Sequence, residues 1–427
     1  MKFKAPRGTY DHLPENIEVW NHVEKTARDT AGSFGYQEIT TPVFEETGLF
    51  KRAVGEGTDV VQKEMYNFND LGGNELTLRP EGTASVCRAF IEHGMHNNPY
   101  PVKLFYISSM FRHERPQSGR LRQHHQFGVE NFGDKSPETD VEIILLGLTY
   151  LENLGITDLS VKVNSIGTAL SRAQFKEAFE GYMRPLLNNL SEKDQKKYAL
   201  NPIRILDSKD SLTKEILADS PKPIDFLDKG STEHWRKFLD LLNSSIIHFN
   251  SVNLEIDKGL VRGLDYYSRT VFEIQPKNSE KAQSSILSGG RYDNLVENIG
   301  GPETPAAGFG SGIERVILNL KKANSLIKDN SSPQLLIIPL SEEGLLTAIN
   351  LAVQIRKGNT STFVCSTDKS FKAQMRYANQ INAKNILVLG DKEVTNKTAQ
   401  IKNLSTGAES EVALSSEGIL KRINHNG

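Results

Sequence analysis

Trp20, Val23, Ala27, Ala31 and Phe34 recur at helical spacing, so residues 15–34 are expected to form an amphipathic helix that Gly35 ends. The period then changes. YQEITTPVFEETGLF reads as a strand, a proline and an acidic turn, and EGTASVCRAFIEHG reads as a helix. PVKLFYISSMFRHE and HHQFGVENFG read as the two arms of a β-hairpin. Val141, Ile144, Leu145, Leu148 and Leu151 mark a long helix over 139–154, and LSVKVNSIG a strand. Between about 171 and 250 strand signals give way to polar helical segments (KDQKKYALNP, DSKDSLTKEI, STEHWRKFLDLLN), expected to be an inserted helical subdomain. Strands resume at SVNLEID, YYSRTVFEI and SSILSGG. AAGFG then enters a helix with Ile313, Val316, Ile317 and Leu320 on one face.

KKANSLIKDNSSPQ, residues 321–334, is polar with a late proline and reads as a linker. Beyond it the pattern is βαβαβ (QLLIIPL, EEGLLTAINLAVQIRKG, STFVCS, SFKAQMRYANQIN, KNILVLG). This predicts a separate α/β domain over 333–427 on a largely parallel sheet. The 427 residues exceed one ordinary core, which agrees with at least two domains.

The balance of 51 Lys+Arg against 53 Asp+Glu argues against bulk attraction to nucleic acid, but leaves room for a local basic site. No apolar run is long enough for a bilayer, and MKFKAPRGTYDHLPENIEVW has no apolar core of signal-peptide length. Cys87 and Cys365, far apart, form neither a disulfide framework nor a zinc motif, and suit a reducing cytoplasm.

Local basic charge is concentrated in RHERPQSGRLRQHHQFGVE, residues 112–130. Alternation along the second arm puts Gln126, Gly128 and Glu130 on one face and His125, Phe127 and Val129 on the other. With Phe127 and Val129 in a core, Gln126 and Glu130 face a cavity, and Gly128 leaves floor space between them. Arg112, at the end of the first arm, can reach the same cavity, and arginine suits a bidentate grip on phosphate or carboxylate. An exposed hairpin whose Arg and Glu pair with each other fits these residues too. His124 and His125 point to opposite faces of a strand and cannot chelate one metal together. LTLRPEGTA puts Glu81 and Thr83 at a turn entering a helix. GLVRGLDYYSRTVFE brackets Arg262 with glycines and supplies Tyr266 and Tyr267. GFGSGIERV places Arg315 one turn into a helix, after glycines that let the backbone approach a ligand. None of these is a Walker loop or a Rossmann fingerprint.

Taken together these segments carry a family resemblance. TPVFEE, FRHERPQSGRLRQHHQFGVE and GFGSGIERV resemble motifs 1, 2 and 3 of class II aminoacyl-tRNA synthetases. LVRGLDYYSRTVFE and SGGRYDNLV resemble the two signature segments of the histidyl-tRNA synthetase family, and SFKAQMRYANQINAKNILVLG its anticodon-binding domain. The resemblance runs from KAPRGTYDHLP to about residue 410. Motif 3 departs slightly, with Gly310 and Ser311 where Ala and Met or Ile are more usual.

The resemblance implies an α+β fold: an antiparallel sheet flanked by helices over 1–325, with the helical insertion, then the anticodon domain over 333–427. It implies a ligase that joins L-histidine to ATP as an adenylate and passes it to tRNA(His). Arg112 and Arg262 would grip the α-phosphate, Arg262 also the substrate carboxylate; Arg120 and Arg315 would contact the rest of ATP, and Mg²⁺ would bridge its phosphates without a fixed protein site. Glu130 and Tyr266 or Tyr267 would address the imidazole. Glu81, Thr83 and Gln126 would hold the α-amino group. Arg115 and Gln117 would read the tRNA acceptor end, and Lys369, Lys372 and Arg376 are candidates for the anticodon. A homodimer interface is expected near Pro42, and a cytoplasmic location. One rival is a histidine-binding regulatory relative of ATP phosphoribosyltransferase, which typically lacks the Arg262 equivalent and the anticodon domain. Another is a class II synthetase for a different amino acid, against which LVRGLDYY and Glu130 argue.

Overall fold

The computed structural model describes residues 3–116, 119–208, 210–277, 285–322 and 332–424. The chain divides into two compact units, Met1–Ile327 and Lys328–Gly427.

The first unit opens with helix α1 (Pro14–Ser33), which has proline in its first turn, where no N–H bond is lost, and buries Trp20, Val23, Ala27 and Ala31. Its strands are β1 (Gln37–Glu38), β2 (Phe44–Glu46), β3 (Tyr66–Asn69), β4 (Glu75–Leu78), β5 (Val102–Phe111), β6 (Gln123–Phe132), β7 (Leu159–Ser165), β8 (Val252–Ile256), β9 (Ser268–Pro276), β10 (Leu287–Arg291) and β11 (Ala306–Gly312). Between them lie α2 (Thr47–Val54), α3 (Thr83–Glu92), α4 (Pro137–Asn153), α5 (Ala169–Met183), α6 (Glu192–Leu200), α7 (Ser211–Ala218), α8 (Lys229–Ile246) and α9 (Leu295–Asn298); α10 (Ile313–Lys322) follows β11. Eight strands form one sheet in the order β1-β5-β6-β11-β10-β9-β7-β8. The pairs from β5 to β7 are antiparallel, and the short edge strands β1 and β8 pair in parallel. Strands β2, β4 and β3 make a small separate sheet.

Alternation divides the large sheet into two faces. Phe105, Phe127, Val129, Phe272, Ile274 and Phe309 pack with residues of α1, α4, α8 and α10 in one core. Leu104, Tyr106, Met110, Phe132 and Val271 face a second, with residues of α2, α3 and α9. Each such apolar side chain contributes roughly 1.5–3 kcal/mol on burial, so a slip in strand register is strongly disfavoured. The candidate site is built on the second face.

The segment expected as an insertion is not uniform. Phe175, Phe179, Met183, Leu190, Ile205 and Leu217 form a small core of their own under α5–α7. Helix α8 belongs to the main core through Trp235, Phe238, Leu242 and Ile246. Its His234 lies 2.7 Å from Asp140 of α4, and Asp140 also accepts from Arg291, 2.9 Å away.

The second unit has strands β12 (Leu335–Pro339), β13 (Thr362–Val364), β14 (Asn385–Leu389), β15 (Thr398–Asn403) and β16 (Glu409–Ala413), with helices α11 (Glu342–Lys357), α12 (Phe371–Gln380), α13 (Asp391–Asn396) and α14 (Ser416–Asn424). Strand β12 pairs in parallel with β13 and β14, while β15 and β16 add antiparallel. The sheet is therefore mixed rather than largely parallel. Its antiparallel hairpin, TAQIKN with ESEVA, carries too few apolar residues to announce itself.

Candidate active site

Two arms and a turn build the site. The β5–β6 hairpin sets Tyr106 directly opposite Gly128. A Cβ on Gly128 would sit 2.3 Å from the Tyr106 ring, and so would one on Gly82. The ring thus lies wedged between two glycines, and the space expected to be open above Gly128 is filled by tyrosine. On the neighbouring strand Gly308 faces Glu130, where a Cβ would come within 2.1 Å of the carboxylate. Glycine is required there because glutamate takes the room.

Glu130 is completely buried. One carboxylate oxygen accepts from Thr83 at 2.8 Å and from Tyr106 at 3.4 Å, and the other accepts from the Tyr292 hydroxyl. Burial raises its carboxyl to about 8, against the lowering effect of these hydrogen bonds. The three hydroxyls lie between Glu130 and the open cavity, whose walls include Thr83, Tyr106 and Tyr292. Glu81, also buried, accepts from the backbone N–H groups of Thr83 at 2.8 Å and Ala84 at 2.9 Å, at the entry to α3. Burial raises its carboxyl as well, and the two N–H groups oppose that. Thr83 therefore touches both acids. Tyr266 and Tyr267 are buried beside them, with Tyr266 edge-on to Tyr292 at 5.6 Å. Gln126 lines the same cavity.

Arginines line other parts of this cavity of about 1570 Å³. Arg112 donates through Nε to the Pro80 carbonyl at 2.7 Å, which ties the end of β5 to the turn holding Glu81. Arg120 pairs with Glu114 at 3.0 Å. Arg262 is held by the Glu273 carboxylate and by Ser288 Oγ at 2.7 Å, and its charge lies 5.8 Å from the Tyr267 ring centre. Arg315 donates to the carbonyls of Ser285 at 2.7 Å and Gly119 at 3.2 Å. Next to it, Glu314 accepts from the His125 backbone N–H and contacts the ring Nδ1 at 2.9 Å, clasping α10 to β6. His124 faces the cavity, and burial with the nearby Arg112 pushes its imidazole down to about 3.

One cavity thus joins Arg112, Arg120, Arg262 and Arg315 to Glu81, Thr83, Gln126, Tyr266 and Tyr267. Glu130 lies one hydroxyl layer beneath it. Arg115 is exposed on the described part of the hairpin loop, and Gln117 falls outside the described residues. Sequence reasoning missed Tyr106, Tyr292, Glu273 and Ser288. Tyr106 could have been found from the hairpin register, which sets the glycine opposite it. Tyr292 stands within SGGRYDNLV.

A family model described as histidyl-tRNA synthetase matches residues 8–316, and one described as an anticodon binding domain matches 334–420. The chain belongs to the histidyl-tRNA synthetase family. It is 43% identical over 414 residues to a histidine–tRNA ligase of Protochlamydia amoebophila, covering 95% of this chain and 96% of that one. It is 41% identical to one of Caldanaerobacter subterraneus, over 97% and 98%. The apo histidyl-tRNA synthetase of S. aureus superposes with a TM-score of 0.82 at 31% identity, covering 99% of both chains. An ATP phosphoribosyltransferase regulatory subunit/histidyl-tRNA synthetase from Bacillus halodurans shares the fold at 23% identity and a TM-score of 0.62. The fold of the histidyl-tRNA synthetase family, with its separate anticodon-binding unit, is the one expected. Among the described residues no helix is long and apolar enough to cross a membrane.

Proposed function

We propose that this chain activates L-histidine with ATP, releasing pyrophosphate, and then transfers histidine to the 3′ end of tRNA(His). The observation that carries the reading is the single cavity in which four arginines meet a pocket of buried acids and tyrosines. The regulatory alternative is disfavoured by Arg262, already oriented by Glu273 and Ser288, and by the presence of the second unit.

In the first step a carboxylate oxygen of histidine attacks the α-phosphorus, and the bond to the bridging oxygen breaks with its electron pair leaving on pyrophosphate. The nucleophile is already ionised, so no general base is needed. The barrier is charge repulsion and alignment, which fixed cations lower. Arg112 and Arg262 face the α-phosphate, and Arg262 also the attacking carboxylate. Arg120 and Arg315 hold the rest of ATP, and Arg315 stacks on the base. Mg²⁺ bound with the triphosphate would neutralise part of its charge, and Glu64 and Glu114 are the cavity-wall carboxylates that would help hold it. Glu81, Thr83 and Gln126 take the α-amino group. Glu130 addresses an imidazole N–H, beside the Tyr106 hydroxyl that makes the longest of its contacts, and Tyr266 or Tyr267 addresses the other nitrogen. In the second step a ribose hydroxyl of the terminal adenosine attacks the carbonyl carbon and AMP leaves.

Arg115 and Gln117 are assigned to the acceptor end of tRNA. In the second unit Lys369, Lys372 and Arg376 are exposed beside the exposed rings of Phe371 and Tyr377, a mixture suited to unstacked anticodon bases. A homodimer is supported by the exposed Val43, Phe44 and Phe68, with the two phenylalanine rings 6.0 Å apart.

Histidine-dependent ATP–pyrophosphate exchange, with each standard amino acid tried separately, tests the activity. Exchange with histidine alone is expected, and a folded chain that binds histidine without exchange would favour the regulatory role. Arg262→His is expected to lower exchange by about 100-fold or more. Near-normal exchange by that folded variant would remove Arg262 from the reaction.

A further inference from the structure

The segment that carries Arg262, Tyr266 and Tyr267 has no regular secondary structure between β8 and β9, so its shape is set from outside. Besides the Asp257 N–H, which donates to the Val163 carbonyl at 3.0 Å, three clasps hold its main chain. Buried Asn164 of β7 donates to the carbonyls of Lys258 at 3.2 Å and Leu260 at 3.0 Å. The Asp265 N–H donates to the Val54 carbonyl at 3.2 Å. The third clasp comes from the inserted helices: Arg172, in the first turn of α5, donates to the Tyr267 carbonyl at 3.0 Å and contacts the Asp265 carbonyl at 3.4 Å.

Those two carbonyls bracket the Tyr266–Tyr267 pair. One guanidinium therefore holds the peptide unit before Tyr266 and the one after Tyr267, at the amino-acid end of the cavity. Among the described residues Arg172 makes no direct ion pair; its hydrogen bonds go to main-chain oxygens, and the nearby Asp265 carboxylate favours its charge. Arg172 also lines the cavity itself. A half-buried arginine used in this way costs desolvation that a surface tether would not require. The cost is offset by charge-assisted hydrogen bonds, worth more than neutral ones.

We infer that Arg172 is a positioning residue for histidine: it makes the first helix of the insertion part of the amino-acid pocket by holding the backbone on either side of the Tyr266–Tyr267 pair. The inference rests on the histidine-activating reading above. It gives α5 a role at the amino-acid end of the site, separate from any contact its outer surface makes with tRNA. The arginines assigned to ATP have clasps of their own, Arg112 at Pro80, Arg315 at Ser285 and Gly119, and Arg262, on the same segment, at Glu273 and Ser288, so the effect should fall mainly on histidine.

The test measures KM for histidine and for ATP separately in pyrophosphate exchange, with a thermal unfolding midpoint for each protein. Arg172→Met is expected to raise the histidine KM about tenfold, the loss of roughly one charged hydrogen bond. The ATP KM should stay within about twofold, with kcat and the midpoint close to those of the unaltered chain. Arg172→Lys, which keeps the charge but not the fork, should fall between the two. An unchanged histidine KM, or equal rises for both substrates, would overturn the inference. If the methionine variant does not fold, Arg172→Gln is judged by the same criteria. No histidine-dependent exchange from the unaltered chain would instead overturn the functional reading, and the positioning role with it.

Discussion

Glu130 shows what one residue can encode. It lies on the face that period-two alternation assigns to it, and that much was legible in HHQFGVE. Its capping was not. Tyr106 reads in LFYISSMF as one more sheet residue, and only the register that sets it opposite Gly128 shows the ring covering the acid. The burial that raises Glu130 to about 8 has a stability consequence. In the unfolded chain the carboxyl loses its proton near the ordinary carboxylate value; in the folded chain it keeps it to about 8. The resulting stabilisation is full below the unfolded value and is lost as pH rises through the folded one. Glu130→Gln, always neutral, should flatten this dependence. Thermal unfolding between about pH 5 and about pH 9 should show the unaltered chain losing ground to the variant as pH rises. Parallel curves would contradict the assignment. The variant should also raise the histidine KM by about tenfold or more, with far less effect on ATP.

At the scale of elements, the hairpin and α10 act as one clamp. Glu314 accepts from the His125 main chain, while its neighbour Arg315 reaches the carbonyls of Gly119 and Ser285. Glu314→Gln should loosen the helix from the strand and raise the ATP KM by about fivefold, leaving histidine nearly unaffected. Steady-state exchange kinetics decide it, and equal effects on both substrates would rule the clamp out. The elements themselves were largely legible, because apolar periodicity in α1, β5, β6 and α10 leaves one solution for which face is buried. The partner of a polar helix was not. Nothing in ALSRAQFKEAFE marks Arg172 as the residue aimed at another segment's carbonyls, and nothing in STEHWRKFLDLLN reveals that His234 meets Asp140 in the main core.

At the scale of the whole molecule, each unit has apolar cores of its own, built around Phe127 and Phe90 in the first and Ile337 in the second. Residues 333–427 should therefore be removable without unfolding the first unit. The shortened chain is expected to keep histidine-dependent exchange within about threefold and to lose at least about tenfold in tRNA charging efficiency. Unchanged charging would remove the case for anticodon reading by the second unit.

The sheet also constrains how the chain can vary in length. Strands β7 and β8 lie side by side in parallel, with Leu159 opposite Val252, although the chain travels through α5–α8 between them. The sheet fixes only where the chain departs and where it returns. Residues of α6 and α7 that face away from the cavity, unlike Lys193, Lys196 and Lys214 on its wall, can be lengthened or shortened over generations while the strands of the sheet keep their register. The first turn of α5 does not share that freedom: a change there alters the amino-acid pocket.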